Sequence, residues 1–571
     1  MAQNNETDEF DKRMKTMSSQ ANLSLFSDKS EKTRPTTKVE RNGGAVINLS
    51  EQTSTPSYII QDTSNELNSF VRPYKDFYKR PFLKGVFSSF SLQVNLSHLL
   101  LSRRHPDEHV ELEVLEGVRV LTMFWGIFTA TSLYILTAHV NNIWYMLVLF
   151  DSIAFTMVAS GNLAPNLMIF FIAFLSFYKL HVLTDKLKGL DILTYINLIG
   201  YRLFKYIPIY YACFFFGWIC LPYLSSATTW YISETLFSTC DKYWWSTLLF
   251  ISNYYPWFVE GLSGCFYWPF VILIDLQLYF FIPLIVVICK LNKIVFHILM
   301  SLILVGGMIG LFFIFWNKKL SVGVLTLENY YLYSENFNKA YTKFPSFALG
   351  IWFAYFYLQI EQYRKSKTKE DWRILHWIYT SKVALVLLAL YSALALNLTT
   401  LVTFEENKDA YKWTKFENSL YNALCQPGYC TAVMAFLTIL FTERLRFLSA
   451  FLSMQIWRPF SRVTVIAYII YPMVILGWYA GLDEPVYLSL VNVIYFLLHN
   501  IITTYLFSFA IYLLFYGPIL TIMRISISKM RGHEAHSFLY VKHKHKQQKV
   551  PLEEEKLKSN EADISFEEER D

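Results

Sequence analysis

The stretch CFYWPFVILIDLQLYFFIPLI, residues 265–285, decides the fold. A run of about 20 predominantly apolar residues crosses the hydrocarbon layer of a bilayer as a helix. This run has that length, and its interior holds one carboxylate, Asp275, and one amide, Gln277. A charged group at such a depth requires a partner or a water-filled cavity, which makes it a candidate site. The residues leave two partners open, Arg119 and Arg202. They also leave open whether the polar group carries chemistry or only joins helices.

Outward from this stretch the same texture continues. The chain has 571 residues, 54% hydrophobic, 18% aromatic and 17% charged, with a mean hydropathy of +0.29. A soluble domain carries about 25% charged residues, so the composition excludes a string of soluble domains, a disordered chain and a collagen-like repeat. Apolar runs lie near 120–138, 165–182, 203–223, 267–289, 294–316, 344–361, 381–399, 422–441, 462–481 and 488–518, the last long enough to tilt or break. The predicted fold is an all-α polytopic membrane protein with about ten transmembrane helices in one bundle over 85–520. A further apolar run, 142–160, contains Asp151 and reads as interfacial or re-entrant.

Lys and Arg cluster in alternate connections: Lys179, Lys186, Lys188, Arg202 and Lys205; Lys290 and Lys293; Arg364, Lys365, Lys367, Lys369 and Arg373; Arg444, Arg446 and Arg458. Lys318 and Lys319 are the main exceptions. Positive residues collect on the cytoplasmic side of spans, which predicts both termini on the cytoplasmic or matrix side. The endoplasmic reticulum, the plasma membrane and the mitochondrial inner membrane all accommodate this pattern.

Residues 1–80 are polar and aperiodic and read as a disordered tail. No apolar run follows Met1, and Glu6, Asp8, Glu9 and Asp11 make the start acidic, so neither a signal peptide nor a mitochondrial presequence is expected. Residues 521–571 form a basic and then acidic tail. Lys542, Lys544, Lys546 and Lys549 read as a stop-transfer flank or a contact for anionic headgroups, with His543 and His545 between them. The seven cysteines contain no CxxC and no zinc spacing. No metal site, nucleotide-binding glycine loop or nucleic-acid signature is present. The outer loop 224–265 holds Cys240 and Cys265, which are expected to pair on an oxidising face, with two free thiols as the alternative. Its aromatic residues, Tyr243, Trp244, Trp245, Tyr254, Tyr255 and Trp257, fit interfacial anchors better than a sugar-stacking surface. Asn397 begins a glycosylation sequon that sits close to a span end.

Eight stretches then occur in one order: FSLQVNLSHLL (90–100), LEGVRVLTMFWGIF (115–128), APNLMIFFIAFLSFY (164–178), RLFKYIPIYY (202–211), CDKYWWSTLLFISNYYP (240–256), the opening stretch at 265–285, YTKFPSFALGIWFAY (341–355) and RPFSRVTVIAYIIYPMVI (458–475). In this order they resemble the acyltransferase type 3 superfamily, in its eukaryotic branch called nose-resistant-to-fluoxetine-like. The resemblance implies an integral membrane enzyme moving acyl groups from a donor such as acyl-CoA to a lipid, sugar or other hydroxyl acceptor, with no bound cofactor. It implies donor phosphates held by Arg119 and Arg202, since guanidinium binds phosphate bidentately. It also implies a polar core of Asn166, Gln277, Tyr279, Trp268 and Arg462, together with Pro283, Ser461 and Pro472, and an outer pair Cys240 and Cys265.

The family's general base is a histidine eleven positions after the arginine; this chain has Ala130 there. Tyr471 replaces a second histidine, Asn166 an aspartate, and Ile172-Ala173 a Ser-Gly. Loss of a general base costs about 100- to 10,000-fold in rate. Three functions follow. One is an active transferase with a rearranged base, Asp275 or His139, acting with Arg119. The second is a pseudoenzyme that serves as a structural or lipid-binding subunit of a large membrane complex, for example a respiratory one. The third is a transporter or lipid shuttle, which the lack of an internal repeat disfavours. Expected partners are membrane lipids and other membrane subunits, not nucleic acid.

Overall fold

The computed structural model describes residues 82–100, 110–135, 140–187, 192–227, 229–231, 237–256, 265–322, 338–366, 372–408, 412–482 and 484–530. The expected N-terminal tail, residues 531–571 of the expected C-terminal tail, His139, Lys188, Trp257 and the Lys542–Lys549 cluster with its histidines lie outside these residues, whereas 521–530, expected as the start of that tail, continue the last helix. All described residues fall in one unit, 71–571.

The helices are α1 (Phe82–Ser89), α2 (Leu92–Leu100), α3 (Val114–Tyr134), α4 (Ile143–Phe150), α5 (Ile153–Ala159), α6 (Ala164–Leu187), α7 (Ile192–Phe215), α8 (Cys240–Leu248), α9 (Phe270–Tyr279) and α10 (Ile282–Leu291). They continue as α11 (Lys293–Lys318), α12 (Phe344–Lys365), α13 (Arg373–Thr380), α14 (Lys382–Leu401), α15 (Phe404–Lys408), α16 (Lys415–Phe441), α17 (Arg446–Leu452), α18 (Trp457–Ala480), α19 (Leu490–Ile511) and α20 (Gly517–Met530). Among the described residues there is no strand, only an isolated bridge between Val140 and Val486. The chain is an all-α, multi-pass membrane protein.

Nine described helices are long and apolar enough to cross a membrane, against about ten expected. The difference is the run at 344–361. It forms α12, a 22-residue helix, but Gln359, Glu361 and Gln362 make its second half too polar to be recognised by hydropathy. Its neighbours take up that polarity: Tyr178 of α6 donates to Glu361 at 2.7 Å. Three other runs are interrupted. The run at 142–160 breaks at Asp151 into α4 and α5, and Ser152 caps α5 by accepting from Phe155 N at 3.1 Å. From there a 3-10 turn leads directly into α6, so α5 belongs to the second span and not to a separate interfacial piece. The run at 267–289 bends between α9 and α10, where Pro283 starts the new helix. The last run breaks at a π turn, Tyr512–Tyr516.

Local signals place the helix starts. Asn292 Oδ1 accepts from Ile294 N and Val295 N at the head of α11. Thr414 and Glu417 form a reciprocal capping box at the head of α16. Inside the bundle α6 packs along α12 and α11 along α16, while α3 packs along α18. The α6–α12 seam is aromatic, with Phe170 against Phe353 at 5.8 Å and Phe174 against Tyr357 at 5.9 Å between ring centroids. The two backbones can approach because position 350 is glycine. A Cβ there would lie 2.5 Å from Phe170 O and 2.9 Å from Ala173 Cβ. Helices α11, α14 and α19 sit at the periphery and turn Leu302, Leu390 and Leu506 outward.

Candidate functional site

Asp275 lies in the middle of α9 and is 2% exposed. Its carboxylate faces α7, where Arg202 and Tyr206, one turn apart, both reach it. Arg202 Nε donates to Oδ2 at 3.1 Å, and Nη2 donates to Oδ1 and Oδ2 at 2.8 Å each. Tyr206 Oη donates to Oδ2 at 2.6 Å. The guanidinium also stacks over the Tyr279 ring, 4.8 Å from its centroid, a favourable placement for a cation. Of the two partners left open by the residues, Arg202 is therefore the one taken. With both carboxylate oxygens occupied by donors and no solvent access, Asp275 has the geometry of an anchor that fixes Arg202.

Arg119, on α3, is half-buried beside this pair. Glu116, Tyr206, Tyr505 and Arg202 lie within electrostatic range of its guanidinium. Among the described residues it forms no hydrogen bond or ion pair. Lys205 adds a further cation near Arg202, Lys179 and Arg119, and its carbonyl accepts from Tyr516 of the π turn at 3.2 Å. Two carboxylates answer this group. Asp275 is committed to Arg202, and Glu116 also lies 3.7 Å from Arg458. The result is a half-buried, net positive cluster contributed by α3 and α7, with Asp275 of α9 beside it and the π turn at its border. Chemically, guanidinium and ammonium groups grouped in this way can hold anionic oxygen, phosphate included.

Ala130 stands eleven residues beyond Arg119, close to three turns along the same face of α3. It is partly accessible and has no polar group. The hydroxyls beside it are engaged elsewhere. Thr129 donates to Val158 O at 2.6 Å, and Thr131 Oγ1 accepts from Asn500 at 3.1 Å.

The other expected polar residues serve other joints. Gln277 and Asn253 exchange hydrogen bonds at 2.9 and 3.2 Å, and Gln277 also donates to Phe250 O. Together they hold the 249–256 loop on α9. Trp268 Nε1 donates to Ile469 O at 2.9 Å, while Tyr468 Oη donates to Trp268 O at 2.8 Å. This clasp lies one turn before Pro472 in α18. Arg462 donates to the carbonyls of His98 and Leu99 and so caps α2. Asn166 is fully buried, and neither of its amide atoms meets a described partner. Tyr471 lies against Tyr468, and Ala173 packs at Gly350. Cys240 and Cys265 are joined by a disulfide. Asn397 lies inside α14, its amide bonded to Ala393 O. No group of three or more His, Cys, Asp or Glu residues that could hold a metal occurs among the described residues.

Reading the residues alone misses Tyr206, Lys205, Tyr505 and Asn253. The first had a visible signal: in RLFKY it stands four positions after Arg202, on the same helix face. Asn253 and Tyr505 had none, because the partners of each are set by tertiary packing.

The chain is 24% identical over 467 residues to nose resistant to fluoxetine protein 6 of Caenorhabditis elegans, covering 77% of this chain. It spans about half, 54%, of the length of that relative. No family model matches the chain, and no solved structure does.

Proposed function

We propose that this chain is an acyltransferase-like membrane protein that retains an anion-binding donor cleft and has lost the transfer chemistry. The carrying observation is the pairing of Arg119, which forms no hydrogen bond or ion pair with a described residue, with Ala130 on one face of α3. The cation that would hold the phosphates of an acyl-CoA is present, and the group that would take the acceptor's proton is not. An acceptor hydroxyl is a weak nucleophile without a base of pKa near neutrality. Asp275 is no substitute, since Arg202 and Tyr206 already occupy it. On this reading the fold serves as a scaffold that binds lipid or a lipid-like thioester, with its basic end on the cytoplasmic or matrix side, and other membrane subunits are its partners.

The test is binding and turnover on the same sample. Purified protein in nanodiscs is incubated with radiolabelled acyl-CoA and mixed membrane lipids. The expected result is saturable binding, displaced by unlabelled CoA, with no acyl transfer above a heat-denatured control. Transfer above that control overturns the loss of chemistry, and absence of displaceable binding overturns the donor cleft.

A further inference from the structure

Helix α2 sits at the basic end of the bundle, tied there from three sides. Arg462 donates to the carbonyls of His98 and Leu99. Asn95 Nδ2 donates to Ser89 O at 3.0 Å and to Leu513 O, in the π turn, at 3.1 Å. Helix α1, just before it, packs on α20, and a Cβ at Gly85 would meet Ile525 Cδ1 at 3.3 Å. The position of α2 is therefore fixed by the bundle and not by chance contact.

One sector of this fixed helix is left uncovered by the described residues. Leu92, Leu96 and Leu100, at i, i+4 and i+8, are 55%, 43% and 54% exposed. They border the packed stripe of Asn95 and Leu99 on the helix surface. Phe87 and Phe90, at the α1–α2 corner, are also exposed. The rest of the helix surface is mostly polar, with Gln93, Ser97 and His98. The apolar row joins an existing lipid-facing band. Asn95 bonds the backbone of Leu513, and from there Leu514 and Phe515, then Leu506 and Phe507 of the spanning helix α19, continue the exposed apolar surface.

We propose that α1 and α2 lie in the plane of the membrane interface at the basic end, with Leu92, Leu96 and Leu100 inserted at the boundary of headgroups and acyl chains. A helix with an apolar sector beside a polar one adopts this placement. Exposed apolar rows of this length in water are rare unless something covers them, and here the surface that continues them belongs to a spanning helix. The occupant is the lipid leaflet itself. Lys84, exposed on α1, is placed to meet its phosphates. The π turn that α2 clamps also borders the cationic cleft through Tyr516, so the leaflet contact buttresses one wall of that cleft.

The test is a nitroxide depth scan of the full chain in nanodiscs. Cys220 is the exposed free thiol, while Cys213, Cys289, Cys425 and Cys430 are buried, so C220S provides the background. Labels are placed singly at Leu92, Leu96 and Leu100, with Ser97 and Gln93 as polar-side controls, so that failure of one variant to fold leaves the others. Each sample is checked first for an unchanged elution volume. Oxygen collisions exceeding those of a water-soluble nickel complex at the three leucine sites, with the order reversed at the controls, are expected. Nickel-dominated collisions at the leucines place the row in water, and low collisions with both reagents place it under another protein; either result overturns the proposal.

Discussion

Arg202 and Arg119 stand at the same end of the bundle, within electrostatic range of each other. Arg202 gives three hydrogen bonds to Asp275 and rests on the Tyr279 ring. Arg119 gives no hydrogen bond to any described residue. One region is a buried ion pair in which both carboxylate oxygens have donors. The other is a half-buried cation whose donors meet no acceptor among the described residues. Breaking a satisfied buried pair by removing one member leaves an uncompensated charge, whereas an unsatisfied cation has nothing of its own to lose. The contrast separates what holds the fold from what is available to a ligand.

The largest expected effect is on the closed pair. Asp275→Ala strands Arg202, and removing one partner of a buried ion pair costs about 3–5 kcal/mol. The unfolding midpoint of the purified protein in detergent should fall sharply, with Asp275→Asn intermediate because its amide still accepts from Tyr206. A midpoint unchanged by Asp275→Ala would mean that the pair is not what joins α7 to α9, and the contrast with Arg119 would collapse.

A second region, the loop between Cys240 and Cys265, depends on a covalent joint. The Cys240–Cys265 bridge closes a loop with a sequence separation of 25, for which loop-closure entropy gives about 3 kcal/mol. The double change Cys240→Ser with Cys265→Ser, or reduction of the parent, should loosen the loops while leaving anion binding at the basic end intact. Limited proteolysis mapped by mass spectrometry reads the first, and CoA displacement reads the second. Loss of both together would show that the two regions are not independent.

How much of this was visible in the residues follows the range of the forces involved. The spans α3, α11, α14 and α18 were legible because about 20 apolar residues are a local signal. Helix α12 was legible as the apolar run 344–361, but how its polar end is tolerated was not, because Tyr178 answers Glu361 only in three dimensions. The break at Asp151 was visible as a residue and misread as a topology, since whether α5 joins α6 depends on a 3-10 turn that Ser160-Gly161 makes and composition does not encode. For the cleft, Asp275, Arg202 and Arg119 were each identifiable as charges inside apolar runs. Which arginine takes the carboxylate was not, because the choice depends on the facing of α7 and α9. Tyr206 settles that choice by adding a third donor on the same face of α7 as Arg202.

Restoring a base sharpens the comparison from the Arg119 side. Ala130 shares the face of Arg119 and is partly accessible. Ala130→His should raise acyl transfer from labelled acyl-CoA by about 100-fold or more over the parent background, the usual scale of a general base. Binding of CoA should not change. No gain in a variant that still binds CoA would mean that the acceptor side of the cleft has been lost along with the base.

The smallest expected effect on stability is the most informative about the cleft. Arg119→Gln removes a charge that forms no ion pair with a described residue. Arg202 and Lys205 bring like charge near it while Glu116 attracts it, so the electrostatic effects of its removal oppose one another. The unfolding midpoint should therefore stay within the range of a neutral substitution, about 0.5 kcal/mol. The same substitution deletes a charged donor to the ligand, and a hydrogen bond to a charged group contributes about 1.5–3 kcal/mol, so affinity for CoA should fall about tenfold or more. Stability and binding would then separate at Arg119 and fail together at Asp275. If Arg119→Gln instead unfolds the protein, its guanidinium belongs to the structural network and the two arginines differ only in where their partners lie.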